Sequence, residues 1–429
     1  MKSLLNRKDL AIHGGTPVRT VPLPLEFPGI HHMDEREIEA AVGVLRARSP
    51  FRYYGLDLQK QAESFESEFA RFAGVQHAVA VASGTGALYT ALSALGVGPG
   101  QEVIVPAYLW VSVVAAVVNL GAIPVLADID ESFCLDPVSV RREITPRTRG
   151  IILVHMSGAP GDVHSIAAIA RQHGLFLLED CAQCAGGAVG GQRVGSFGDM
   201  AVFSFQMNKN MTAGEGGCVV TNDPQLARKA FACHDLGYAR DQDGRLIFDA
   251  PELCLWGRGC RMDEVRAAIL RVQLEKLPAT IGAMRKSKYR IRQALERFQA
   301  VRLRKIPDPA GDTGCFLITT YPDAETARQV NAALRAEGIV TFSQGVSNVV
   351  MTDWGLHLYY NNRSLVARKG LAWNLAENAG PLRNYAKGAC PAADSLFERS
   401  ILLPVPSCLS RQDEDDIIQA FGKVLTALL

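Results

Sequence analysis

The chain has 429 residues, of which 48% are hydrophobic and 21% charged. Lys and Arg number 45 against 44 Asp and Glu, so there is no broad basic field for a polyanion, and composition argues against a nucleic-acid partner. A chain this long exceeds one simple core, which predicts two lobes with a sizeable buried interior.

The opening MKSLLNRKDLAIHGG has no apolar stretch long enough for a signal-peptide core, which leads us to expect a cytoplasmic protein. We read an N-terminal arm over 1–34, a large domain over 35–285 and a small C-terminal domain over 286–429. From about 75 to 225, short apolar strands (HAVAVAS, EVIVPA, IPVLADID, GIILVH, LFLLED) alternate with helical stretches (TGALYTALSAL, VSVVAAVVNLG, SIAAIARQHG). This βαβ rhythm predicts an α/β lobe with a mostly parallel, doubly wound sheet. No charge occurs between Glu102 and Asp128, a length that would cross a membrane. Pro106, Ser112, Asn119, Gly121 and Pro124 interrupt it, and it reads instead as a buried strand, loop, helix and strand, with no membrane partner. Beyond 285, GCFLITTYP reads as a strand, ATARQVNAALRAEGI as a helix and DEDDIIQAFGKVLTALL as a final helix, giving a smaller α+β lobe. Between Leu356 and Pro391 periodicity is weak, and we read a long loop or insertion. The ten cysteines are scattered and read as reduced thiols. Cys181 and Cys184 have CxxC spacing without a second Cys/His pair at zinc-finger distance, so no metal is predicted.

In doubly wound sheets, ligands lie beyond the carboxyl ends of the strands. Four features sit there. ASGTGAL is a turn in which Gly84 and Gly86 let the backbone approach closely, and the helix beginning near Thr85 offers free amides and a favourable dipole to a phosphate. Small-residue turns that merely cap helices look the same. Asp180 ends LFLLED, with Gln183 three residues on; a carboxylate there keeps a pyridinium nitrogen protonated, or simply caps the next helix. In FSFQMNKNMTAGEGG a strand carries Ser204, and Lys209 follows in a glycine-bounded loop. In a dry crevice its amine becomes nucleophilic; on a surface it is only a solvated cation. Trp110 follows another strand end and is able to lie against a planar ring or to fill core.

LAIHGGTPVRT, ASGTGAL, VPAYLWVSVVAAV, AIPVLADID, VHMSGAPGDV, LLEDCAQCAGG, the SFQMNK and TAGEGG segments, RMDEVRAAI and ILLPVPSCLS span nearly the whole chain. In this order they resemble the sugar aminotransferase family called DegT/DnrJ/EryC1/StrS, enzymes of fold type I that use pyridoxal 5′-phosphate (PLP). The resemblance implies an aspartate-aminotransferase-like large domain with a seven-stranded, mostly parallel sheet. It implies that Lys209 is the Schiff-base lysine and proton shuttle, that Asp180 pairs with the pyridine nitrogen, and that Gln183 contacts the ring or its phenolic oxygen. Trp110 would stack on the ring. Thr85, the Gly86 amide and Ser204 would bind the phosphate beside Gly84. Two positions depart from the family's pattern. Gly259 stands where members often carry an asparagine that reaches the neighbouring subunit's phosphate site, with Arg258 or Arg261 as stand-ins, and Met207-Asn208 precede the lysine.

The function implied is a ping-pong transfer of an amino group from glutamate or glutamine to a keto sugar, often nucleotide-linked, or a keto cyclitol. Antibiotic or other secondary-metabolite biosynthesis and a homodimer go with it. Elimination, dehydration or oxidation on the same fold is the competing chemistry, and a non-catalytic PLP sensor the remaining reading.

Overall fold

The computed structural model describes residues 7–241, 243–253, 255–342 and 347–429. The large lobe is organised on seven strands: β1 (His77–Val81), β2 (Glu102–Pro106), β3 (Ile123–Ala127), β4 (Thr148–Val154), β5 (Phe176–Asp180), β6 (Met200–Ser204) and β7 (Gly217–Thr221). They lie in the order β1-β7-β6-β5-β4-β2-β3. Pairing from β6 to β3 is parallel, while β7 runs antiparallel to both its neighbours. Every residue of β2, β3, β5, β6 and β7 is buried, which is why these segments read as continuous apolar runs.

Helices α1 (Glu35–Arg46) and α2 (Gln61–Ala73) precede the sheet. The crossovers are α3 (Gly84–Ala94), α4 (Val111–Asn119), α5 (Pro137–Glu143) and α6 (Val163–His173), and α7 (Pro224–His234) follows β7. The period of two along β2 assigns its side chains to opposite faces. Val103 and Val105 pack with Leu88, Leu92, Val113 and Val117 of α3 and α4, whereas Ile104 packs with Val140, Ile166 and Ile169 of α5 and α6. Aspartates at the N-caps set the starts of α5, α6 and α7, with Asp136, Asp162 and Asp223 accepting first-turn amides. The uncharged stretch after Glu102 is thus β2, α4 and β3. Among the described residues no helix is long and apolar enough to cross a membrane.

A helix of 32 residues, α8 (Glu264–Leu295), leads out of the large lobe, and position 285 lies inside it. Beyond it β8 (Arg302–Leu303), β9 (Phe316–Thr320), β10 (Val349–Val350) and β11 (Ser400–Pro404) form an antiparallel sheet in the order β8-β9-β11-β10. Helices α9 (Ala324–Ala336), α10 (Arg363–Val366), α11 (Pro391–Arg399) and α12 (Arg411–Leu428) accompany it. The arm before α1 packs on this lobe, where Leu10 and Leu23 join a core with Val330 and Phe421. Buried Glu337 fixes the arm by accepting the Ala11 and Val18 amides at 2.8 and 3.1 Å and pairing with Lys423 at 2.8 Å.

The aperiodic stretch from 356 to 391 consists of short 3₁₀ turns and α10, as an irregular segment should, but it is not a loose excursion. Leu358, Tyr359, Leu365 and Tyr385 are buried in the same core as α3 and α4, and the Tyr385 hydroxyl donates to the Pro124 carbonyl at 2.8 Å. Just beyond it, Asp128 at the end of β3 accepts the Ala392 and Ala393 amides at 2.9 and 2.7 Å.

Candidate active site

The carboxyl ends of β4, β5 and β6 open into a cavity of about 890 Å³. Seven of the eight residues singled out from the sequence line it: Gly84, Thr85, Trp110, Asp180, Gln183, Ser204 and Lys209. They come from positions more than a hundred residues apart, gathered because parallel strands deliver their C-termini to one edge.

At one end, the first residues of α3 line the cavity. Ser83 caps the helix, its hydroxyl accepting the Gly86 amide at 3.0 Å. This alters the expectation for Gly86, which does not line the cavity and whose N–H is already bonded; the first-turn amides of Gly84 and Thr85 are the ones left to face an anion. Gly84 is required for a steric reason: a Cβ there would lie 2.7 Å from the Ser204 Cβ. The Thr85 and Ser112 hydroxyls bond at 2.8 Å, which holds Thr85 at the turn.

In the middle lies Asp180. It is buried, and its Oδ1 accepts the Ala182 amide at 3.0 Å. Burial pushes its carboxyl above the usual carboxylate range, opposed by that amide and by the nearby Lys209. Behind it the His155 amide donates to the Asp180 carbonyl at 3.0 Å. The His155 Nδ1 accepts the Gly161 amide at 3.1 Å, so Nε2 carries the proton given to Glu179 at 3.0 Å. Glu179 also accepts the amides of Gly195, Phe197 and Gly198 at 2.8 Å. His155, Glu179 and Cys181 lie close enough to hold a metal ion, but the His and Glu atoms are engaged in these bonds, which brace β4 against β5. Cys181 and Cys184 are buried free thiols that burial holds well above the ordinary cysteine range.

Lys209 is half-buried in the loop between β6 and β7. Its backbone is fixed from several sides: Lys209 N donates to Gln206 O at 3.0 Å, Gly29 of the N-terminal arm donates to Lys209 O at 3.0 Å, and buried Asn210 donates to Ala185 O at 3.1 Å. Gly214 has a φ of 79°, which permits the tight return of the chain. Burial lowers the Lys209 ammonium below the ordinary lysine range, with Asp180, Cys315 and Glu215 opposing. The amine therefore sits near a buried carboxylate with its charged form less favoured than on a surface lysine, the direction a carbonyl nucleophile requires.

The fourth wall was not legible in the sequence. Asp353, Trp354, Gly355, Leu356 and His357, from the turns after β10, line the cavity beside the chain just past β2, where Leu109 N donates to His357 O at 3.0 Å. His357 stacks on Trp354 with ring centres 4.5 Å apart at 12°, and Trp110 meets it at 4.8 Å and 50°. Trp110 is 45% exposed, so it belongs to the cavity rim and not to the core. Gln183 is held at both ends, Oε1 accepting the Ser157 amide at 2.9 Å and Nε2 donating to His357 Nε2 at 3.4 Å. Since His357 Nδ1 donates to Trp354 O at 3.0 Å, the ring is neutral, and burial depresses its pKa to about 4. Between about pH 4 and 6.5 the unfolded chain binds this proton and the folded one does not, so stability rises with pH across that window. Urea midpoints measured from pH 4.5 to 7 should therefore climb less steeply for His357→Gln than for the natural chain; equal slopes would refute a depressed His357.

Neither arginine considered as a stand-in near Gly259 reaches the cavity. Arg258 lies over the Tyr89 ring and Arg261 pairs with Asp235.

The donor set fits PLP: a buried carboxylate for a protonated ring nitrogen, an amine with a depressed pKa, and helix amides beside two hydroxyls for a phosphate. Comparison with known proteins agrees. The chain is 40% identical over 280 residues to the L-glutamine:2-deoxy-scyllo-inosose aminotransferase of Streptoalloteichus tenebrarius, a match spanning 62% of this chain and 63% of that relative. It is 39% identical over 287 residues to the UDP-N-acetyl-3-dehydro-alpha-D-glucosamine 3-aminotransferase of Acidithiobacillus ferrooxidans, covering 66% of this chain and 74% of the relative. The crystal structure of 3-amino-5-hydroxybenzoic acid synthase superposes with a TM-score of 0.77 at 29% identity, over 94% of this chain and 99% of the other. The large lobe accordingly has the aspartate-aminotransferase-like fold of type I PLP enzymes. Residues 33–347 match the DegT/DnrJ/EryC1/StrS aminotransferase family, and the chain belongs to it.

Proposed function

We propose that the protein is a PLP-dependent aminotransferase that moves an amino group from glutamate or glutamine to a cyclic polyhydroxylated ketone. The observation that carries this reading is the meeting of Lys209, Asp180, Gln183 and the α3 N-terminus in one cavity. PLP supplies an electron-withdrawing ring that stabilises negative charge on the substrate carbon. In this reading Lys209 Nζ would hold the cofactor aldehyde and would move the proton at the substrate carbon. Asp180 would keep the ring nitrogen protonated, and Gln183 and Trp110 would hold the ring. Thr85, Ser204 and the α3 amides hold the phosphate. His357, neutral and pinned by Trp354, keeps Gln183 in place.

Among the described residues the only Lys or Arg side chains lining the cavity are Lys209 and Arg266, and the other charges there are Glu26, Asp180, Glu215 and Asp353. Such a wall suits an uncharged keto cyclitol better than a sugar carrying a nucleoside diphosphate, whose two phosphates ask for cations. The Streptoalloteichus relative's name carries a keto cyclitol and the Acidithiobacillus relative's a UDP-sugar. Antibiotic or related secondary metabolism, a cytoplasmic setting and a homodimer with active sites at its interface complete the reading.

The test is a screen of glutamine and glutamate against both acceptor classes, followed by the cofactor's absorbance and by keto-acid release. Turnover with the keto cyclitol and little with the nucleotide-linked ketone is expected. Cofactor bleaching without keto acid would favour elimination or oxidation, and an inert spectrum would favour a sensor.

A further inference from the structure

We propose that Arg266, on the first turn of α8, is the cation that holds the cofactor's phosphate, supplied by the same chain that carries Lys209. This rests on the cofactor reading above. The α3 turn by itself offers only neutral donors: the Gly84 and Thr85 amides and the hydroxyls of Thr85 and Ser204. A phosphate dianion held by neutral donors alone gives up the strongest class of bond open to it, the charge-assisted one.

Arg266 enters the cavity wall at that end. Its Nη1 donates to the carbonyl of Ala82 at 3.2 Å, and Ala82, Ser83 and Gly84 all line the cavity beside it. Its Nε is held by Asp263 at 2.6 Å, and the side chain is 30% exposed. Asp263 is also the N-cap of α8, accepting the Arg266 amide at 2.9 Å. One carboxylate thus fixes both the backbone and the side chain of the arginine, and the Ala82 carbonyl fixes the guanidinium's other edge. Among the described residues Nη2 makes no hydrogen bond, which leaves its N–H groups for an oxyanion. No other Arg among the described residues lines the cavity.

The segment just before α8 is built to place this helix start against the turn. Ala82 N donates to Cys260 O at 2.7 Å, and Val81 pairs with Arg261 as an isolated bridge. A Cβ on Gly86 would lie 3.3 Å from the Cys260 Cβ, so the turn and this segment are already in close contact. Gly259, with a φ of 62°, lies at the bend that begins this run. The charge that Arg258 and Arg261 do not bring to the site is thereby provided seven residues further on.

Binding of PLP and of pyridoxal, which has the same ring and aldehyde without the phosphate, separates this role from a structural one. Apoprotein is titrated with each by absorbance, for the natural chain, Arg266→Gln and Arg266→Lys. Arg266→Gln should weaken PLP by about 10- to 100-fold and leave pyridoxal within about twofold, with Arg266→Lys falling between. Inorganic phosphate should compete with PLP in the natural chain and do so less well in Arg266→Gln. Equal losses for PLP and pyridoxal, or an unchanged PLP affinity in Arg266→Gln, would overturn the assignment. A natural chain that binds neither aldehyde would instead refute the cofactor reading, and the Arg266 role with it.

Discussion

Lys209→Ala should lower the rate of amino transfer by about 10³-fold or more, because the variant loses both the covalent hold on the cofactor and the group that moves the substrate proton. Borohydride treatment of the cofactor-loaded natural chain should leave the cofactor label on the peptide containing Lys209, and the variant should carry none. Retention of a label elsewhere would show that a different amine does this work. The depressed pKa of Lys209 is integral to the result, since burial and not a hydrogen-bond partner sets it. An exogenous primary amine should restore part of the proton-transfer rate in Lys209→Ala, whereas a solely structural lysine would show no such rescue.

Asp180→Asn should reduce the same rate by about 10²- to 10³-fold while the cofactor still binds, because a neutral amide no longer stabilises a protonated ring nitrogen. The carboxyl is buried and pushed upward in pKa by desolvation, so its charge is costly to the folded apoprotein. The apoprotein of Asp180→Asn should accordingly melt at the same temperature as the natural chain or higher. Loss of rate without loss of stability is the signature of a residue retained for chemistry; a matching fall in both would make Asp180 a structural residue. Asp180→Glu, which keeps the charge but lengthens the arm, should lie between the two in rate.

Much of this site was legible because its parts announce themselves locally. A glycine-containing turn between strand and helix, an aspartate at a strand end and a lysine in a glycine-bounded loop each follow from short-range rules, and parallel topology guarantees that such positions meet. The same rules describe which amides exist at a helix start but not which are already spent. Gly86 was indistinguishable in sequence from Gly84 as a phosphate donor, and only the Ser83 hydroxyl, folded back as a cap, separates them.

The fourth wall was hidden for a different reason. Trp354 lies between two 3₁₀ turns and His357 ends the second, and side chains there follow neither a period of 2 nor one of 3.6, so hydrophobic patterning carries no signal about which of them is buried. The clue available was chemical and not periodic: several aromatic residues in a stretch without regular structure, Trp354, His357, Tyr359 and Tyr360, imply that the stretch is covered by something. Arg266 was hidden in another way. It reads as one of many polar residues on an amphipathic helix, and its relation to Ala82 spans 184 positions.

The sequence by itself determined the α/β class, the order of the strands along the chain and the candidate cofactor residues, because each depends on local propensity, on patterning or on motifs a few residues long. Tertiary structure alone decided that Trp354 and His357 line the cavity and which arginine faces the α3 turn. Those depend on contacts between segments a hundred or more residues apart, where no local rule reaches and only the packing of one element against another assigns a partner.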